Sequence, residues 1–157
     1  MKKTFYIFFV LLLTSCGFSP ILKNVDLSSV KINKIDFEGP SGLTYYLKSN
    51  LNIPVKQNLK NAYSLKLSIN ESSSSVTKDT AGITTEERVS VTINFQIFDK
   101  ENKLIGSESL SDSRVISVTN NVSTDDEVKR IEKENIITNL IQQLTFAIRA
   151  QIISSQQ

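Results

Sequence analysis

Apolar and polar positions alternate most strictly in two stretches of this chain. Tyr63, Leu65, Leu67 and Ile69 alternate with Ser64, Lys66, Ser68 and Asn70. Val89, Val91, Ile93, Phe95 and Ile97 alternate with Ser90, Thr92, Asn94 and Gln96. A period of two puts the apolar side chains of a strand on one face, so both stretches predict strands with one face on a core and one open. Parallel strands covered on both faces read as continuous apolar runs, so the pattern favours a mainly antiparallel sheet. An earlier strand is predicted over Val30 to Phe37, where Val30 and Ile32 hold one phase and Ile35 and Phe37 the other. A slip of one residue predicts a bulge or the strand's end. Gly39-Pro40-Ser41-Gly42 is a turn signal. Leu43, Leu47 and Leu51 follow at spacing four with Tyr46 beside them, which predicts a short helix with Ser41 as its N-cap and Pro54 just beyond its end.

Between the two clear strands, Glu71 to Thr85 is rich in Ser and Thr and predicts a long, polar, mobile hairpin end. The turn Asp99 to Lys103 leads to a fourth strand from Leu104 to about Val118. Its apolar positions Ile105, Leu110, Val115, Ile116 and Val118 are sparse, as on an edge strand or one that contacts another protein. A long helix is predicted from Asp125 to Ile153, with Thr124 and Glu127 as a capping box and Asp125 and Asp126 at its positive end. Its stripe is Val128, Ile131, Ile137, Leu140, Ile141, Leu144, Ile148 and Ile152. These elements predict an α+β fold: a sheet of about four strands, mainly antiparallel (mixed), with a short and a long helix packed on one face.

The first residues follow a different pattern. Lys2 and Lys3 precede an apolar run from Phe5 to Leu13, far shorter than the roughly 20 residues of a spanning helix. This is the form of a secretory signal. Leu13-Thr14-Ser15-Cys16 then matches a lipobox: an aliphatic residue, two small residues that fit a peptidase site, and a thiol able to take a diacylglyceryl thioether. Cys16 is the single Cys of the chain, so it has no disulfide partner within it. The expected division is a lipoprotein signal peptide at 1–15, a lipidated tether at 16–28 and a single domain at 29–155. Gly17 follows the Cys where an Asp would retain many lipoproteins at the inner membrane, so Gly is compatible with export to the outer one, and a lipid-anchored protein on the periplasmic side of the outer membrane is expected.

Removing the two lysines of the signal from 18 basic side chains leaves 16 against 16 acidic ones. A neutral domain argues against nucleic acid as a partner, which demands a basic field. There is no His and no Trp. With Cys16 acylated, the Ser-His-Asp and Cys-His nucleophile systems, thiol redox chemistry and the usual zinc sites have no residues to use. Neither a Gly-rich phosphate loop nor Gly-x-Ser-x-Gly is present, and the five glycines are scattered singly. No catalytic residues, metal or cofactor are expected, and replacing Asp112 or Asp125 should remove no chemical step.

The order strand, helix, three strands and long helix behind a lipobox resembles the LPS-assembly lipoprotein LptE family. Cys16-Gly17-Phe18-Ser19-Pro20-Ile21-Leu22 is similar to the Cys-Gly-Phe-x-Pro-Leu opening of many members. Tyr63-Ser64-Leu65-Lys66-Leu67 resembles the start of the family's second strand. Gly82, Thr84, Thr85 and Arg88 resemble its Gly-x-x-Thr-Arg-rich hairpin, with extra residues before the Arg, and Asp126 to Arg130 the start of its last helix. The resemblance implies a plug and assembly partner of the outer-membrane β-barrel LptD in lipopolysaccharide transport to the cell surface, with lipopolysaccharide itself as a further candidate ligand. The family's basic contact residues carry over to Lys78 and Arg88, where cations would pair with lipid A phosphates. The bland readings are a solvated loop charge for Lys78 and, for Arg88, a strand-end residue paired with Glu86 or Glu87. The family's second basic region falls on 120–126, which holds no Lys or Arg, so nothing carries over from it. The alternative function is a periplasm-facing lipoprotein that binds another protein or lipid through its exposed sheet face, with no part in lipopolysaccharide export.

Overall fold

The computed structural model describes residues 31–56, 59, 62–119 and 121–155. Cys16, the signal and the tether lie outside them. Four strands, β1 (Ile32–Glu38), β2 (Tyr63–Lys78), β3 (Thr84–Phe98) and β4 (Leu104–Ser117), form one sheet in the order β1-β2-β3-β4. β1 runs parallel to β2, and the other pairs are antiparallel. Helix α1 (Ser41–Asn50) makes the crossover between the parallel strands, and α2 (Val122–Ser154) follows β4. This is the α+β fold with a mixed four-stranded sheet that the alternation implies.

One core joins the sheet to both helices. Leu65, Leu67 and Ile69 of β2 and Val91, Ile93, Phe95 and Ile97 of β3 are buried with Leu47 of α1 and Ile136, Ile137, Leu140, Leu144, Ile148 and Ile152 of α2. Ladder register stacks Phe37, Leu67 and Phe95 side by side on the core face. The phase slip in β1 is real: register shifts between Ile32 and Lys34, so Ile32 on one side of the irregularity and Ile35 and Phe37 on the other all meet the core.

Four expectations are corrected. Ser41 is the first helical residue of α1 rather than its cap; Pro40 holds the cap position, with no side-chain cap bond. The Ser-rich stretch after Asn70 is strand, since β2 runs to Lys78 and only 79–83 turns. Backbone ladder bonds to β3 hold it there although neither face is buried, which is why no alternation marks it. Helix α2 begins at Val122, and its cap is Asn121, whose side chain accepts from the Thr124 N–H at 3.4 Å; Thr124 and Glu127 form no capping box. At 33 residues it is about 50 Å long. On α2, Ile131 is 42 % exposed and Ile136 fully buried, because the core arc lies further round the helix than the predicted stripe.

Both hairpins close through the same five-residue turn. In 79–83 the Asp79 Oδ1 accepts from the N–H groups of Ala81 and Ile83 at 2.9 and 2.8 Å, and Gly82 takes a positive φ of 82°. In 99–103 the Asp99 Oδ1 accepts from Glu101 and Lys103, both at 2.9 Å, and Asn102 sits at φ 64°. Gly and Asn are the residues that tolerate this left-handed position, and Asp is the one that satisfies the turn amides.

Candidate functional site

With both helices on the core face, the other face of the sheet is left open, and its middle is made of uncharged polar side chains. Register places Ser68, Asn94 and Ser109 in one row across β2, β3 and β4. Asn70, Thr92 and Ser111 form the next row, and Ser72, Ser90 and Ser113 the third. These nine side chains carry hydroxyls and amides and no charge. They cover about 13 Å along the strands and 10 Å across them. Some are tied laterally: Thr92 and Ser111 hydroxyls meet at 3.1 Å, and the Asn94 amide donates to the Ser68 hydroxyl at 3.4 Å. Below the patch, charges occur in pairs, Lys34 with Asp36 at 2.9 Å and Lys66 with Glu38 at 3.0 Å. The β4 side of this face was legible as Ser107-x-Ser109-x-Ser111-x-Ser113, a period-two run of serines. Attention to apolar residues alone misses it.

Lys78 and Arg88 do not come together. Lys78 ends β2 opposite Thr84, whereas Arg88 lies opposite Ser74 and Val115, on the open face above the patch. Four ladder positions separate them, about 13 Å. Both are exposed, and neither forms an ion pair among the described residues. The expected pairing of Arg88 with a neighbouring glutamate is absent because those acids are engaged elsewhere. Glu86 accepts from the Thr77 hydroxyl at 2.6 Å, and Glu87 pairs with Lys129 at 2.7 Å.

That last contact belongs to a brace between the upper hairpin and α2. Lys129 and Lys133, one turn apart on the helix, reach Glu87 of β3 and Glu71 of β2. The Glu87 carboxylate holds Lys129 above the usual lysine range. Arg130 is held still more firmly in its charged form by Glu127 and Glu134 on its own helix, and its bond to Glu127 lowers that carboxyl in return. A groove of about 370 Å³ lies beside these groups, lined by Pro40, Leu43, Tyr46, Lys129 and Lys133 among others, but its cations are already engaged by carboxylates. Asp125, in the first turn of α2, is buried at 6 % exposure. Its Oδ1 accepts from the Thr119 N–H at 2.9 Å and the Thr119 hydroxyl at 2.8 Å, clasping the end of β4 to the start of α2. Among the described residues no cluster of acids, His or Cys has metal-binding form, and no helix is long and apolar enough to cross a membrane.

The architecture is shared with solved lipoproteins. Rare lipoprotein B from Shewanella oneidensis superposes with a TM-score of 0.61 at 11 % identity, over 80 % of this chain and 100 % of that one. A minor lipoprotein from Acinetobacter baumannii gives 0.53 at 23 % identity, over 75 % and 93 %. Lipoprotein B from Nitrosomonas europaea gives 0.54 at 8 % identity, over 73 % and 81 %. At these identities the likeness is one of fold. No curated protein matches the sequence. The family model LptE, described as lipopolysaccharide-assembly, matches residues 27–152, from ahead of β1 almost to the end of α2. The chain therefore belongs to the LptE lipopolysaccharide-assembly family.

Proposed function

We propose that this protein is a lipid-anchored outer-membrane plug and assembly partner of an LptD-type β-barrel, working in lipopolysaccharide transport without catalysing a reaction. The supporting observation is the open sheet face. A patch of hydroxyls and amides can donate and accept in turn, so it fits the polar lumen of a large barrel while leaving no buried charge to be desolvated. The sheet packs on a full core behind it, which supports the face as a rigid surface. Residues 1–15 serve as the signal, Cys16 carries the lipid, and 29–155 form the domain. Lys78 and Arg88, exposed at the upper hairpin, are the proposed contacts for lipid A phosphates.

Extraction in mild detergent should recover the protein with a large barrel in about equal amount. Repeated recovery of the protein alone would overturn the reading. A charge placed in the patch sharpens the test: Ser109→Asp should fold normally but recover less barrel, because a carboxylate there must be desolvated against the lumen wall.

A further inference from the structure

Among the described residues, cations outside any ion pair occur at both ends of the domain, Lys78 and Arg88 near the upper hairpin and a group of lysines at the other. Near the upper hairpin, the helix cations Lys129, Arg130 and Lys133 are all in ion pairs. At the opposite end, where β1 begins and β3 turns into β4, three separate segments bring Lys31, Lys56, Lys100 and Lys103 to one edge of the fold. Backbone bonds fix that convergence. Lys56 N–H donates to the Ile32 carbonyl at 2.9 Å, and Tyr63 N–H donates to the Lys31 carbonyl at 2.8 Å. Ser64, next to Tyr63, pairs with Phe98, which in turn pairs with Leu104. None of the four lysines is in an ion pair among the described residues. The adjoining turn carries two acids, Asp99 and Glu101, so the four lysines exceed the acids of that turn by two charges.

Apolar side chains stand out from the same end. Val55 is 43 % exposed, Leu104 47 % and Ile153 38 %. Ile153 is placed there because Gln151, two residues earlier, donates to Glu108 near the start of β4. Protruding aliphatic groups among lysines suit a bilayer boundary: the apolar groups enter the headgroup region while the ammonium groups meet lipid phosphates. We propose that this end of the domain docks on an anionic phospholipid surface while the chain is free of its barrel. The direction of the chain agrees. It leaves toward Cys16 from Lys31, at this end, and the 14 intervening residues reach at most about 50 Å. This part of the inference rests on the proposed anchor at Cys16.

The test uses the mature lipidated protein in vesicles, with Leu104→Cys carrying an environment-sensitive fluorophore and Ala81→Cys at the other end as control. On vesicles containing phosphatidylglycerol the label at 104 should move into the headgroup region. It should stay in water on phosphatidylcholine alone, and the label at 81 should stay in water on both. Each of Lys56→Glu, Lys100→Glu and Lys103→Glu should weaken the contact about fivefold or more, and added salt should do the same. An anchored chain whose label at 104 stays in water on phosphatidylglycerol overturns this inference and leaves the anchor standing. A chain that does not enter the vesicles, or that carries a free thiol at Cys16 by mass spectrometry, overturns the anchor and this inference together.

Discussion

Below Asn70 both strands of the β2–β3 hairpin are buried on one face; above it, β2 meets solvent on both faces and only Val89 and Val91 of β3 stay buried. The two halves share a continuous ladder, from Ser64 opposite Phe98 to Lys78 opposite Thr84, yet they are held by different forces. In the lower half Leu65, Leu67, Ile69, Ile93, Phe95 and Ile97 lie in the core, and each such side chain contributes on the order of 1.5–3 kcal/mol by burial. The upper half buries only Val89 and Val91 and otherwise has hydroxyl contacts, such as Ser75 to Thr84 at 3.1 Å, and the two braces from α2. The buried face therefore specifies the fold, while the positions of the upper half that meet solvent can change without unfolding the domain. The open face runs across both, so the proposed recognition surface draws its rigidity from the lower half.

Breaking the lower half should have the largest effect. Leu67→Ala removes the centre of the Phe37, Leu67 and Phe95 row and should cost about 2–5 kcal/mol, read as a large fall in Tm. Gly39→Ala comes next, at about 1–3 kcal/mol. Gly39 has a φ of 135°, and a Cβ there would run into the carbonyl of Ile69 and approach its Cγ2 to 2.8 Å. Asp125→Ala should cost a similar or smaller amount, about 1–3 kcal/mol, because it leaves the Thr119 N–H without its acceptor. Hydrogen exchange should then show the junction of β4 and α2 opening before the core. In the upper half, Glu71→Gln loosens the brace to Lys133 and should cost less than about 1 kcal/mol, with faster exchange confined to the hairpin above Asn70. The smallest effect concerns pH. Lys129 is raised by Glu87, so the contribution of that pair is present at neutral pH and fades as pH rises through the lysine range. Glu87→Gln should remove this dependence from alkaline melting curves.

Each misreading of the sequence has a local cause. Strands were legible where one face is buried, because burial imposes the period of two on β2 from Tyr63 to Ile69 and on β3 from Val89 to Ile97. The run Glu71 to Ser75 read as loop because polarity on both faces carries no period. The α2 start was misplaced because Thr124 and Glu127 resemble a capping box, while the working cap, Asn121, gains its place from the clasp between Asp125 and Thr119. Arg88 was visible as a cation near the hairpin, but its freedom from Glu87 depended on Lys129, 41 residues further along the chain.

By itself the sequence determined which faces meet: periods of two and of three to four state which side chains leave water, and that is enough to pair a one-sided sheet with two helices. It also carried the lipobox reading at Cys16 and the family resemblance, since both are local or ordered patterns. Only the tertiary structure decided how far the β2–β3 ladder rises, because backbone hydrogen bonds between strands leave no trace in side-chain polarity. It alone matched Lys129 to Glu87 and Lys133 to Glu71, and it alone gathered Lys31, Lys56, Lys100 and Lys103 at one end. Charges act through space, and their neighbours are set by how the chain returns on itself rather than by the order in which residues occur.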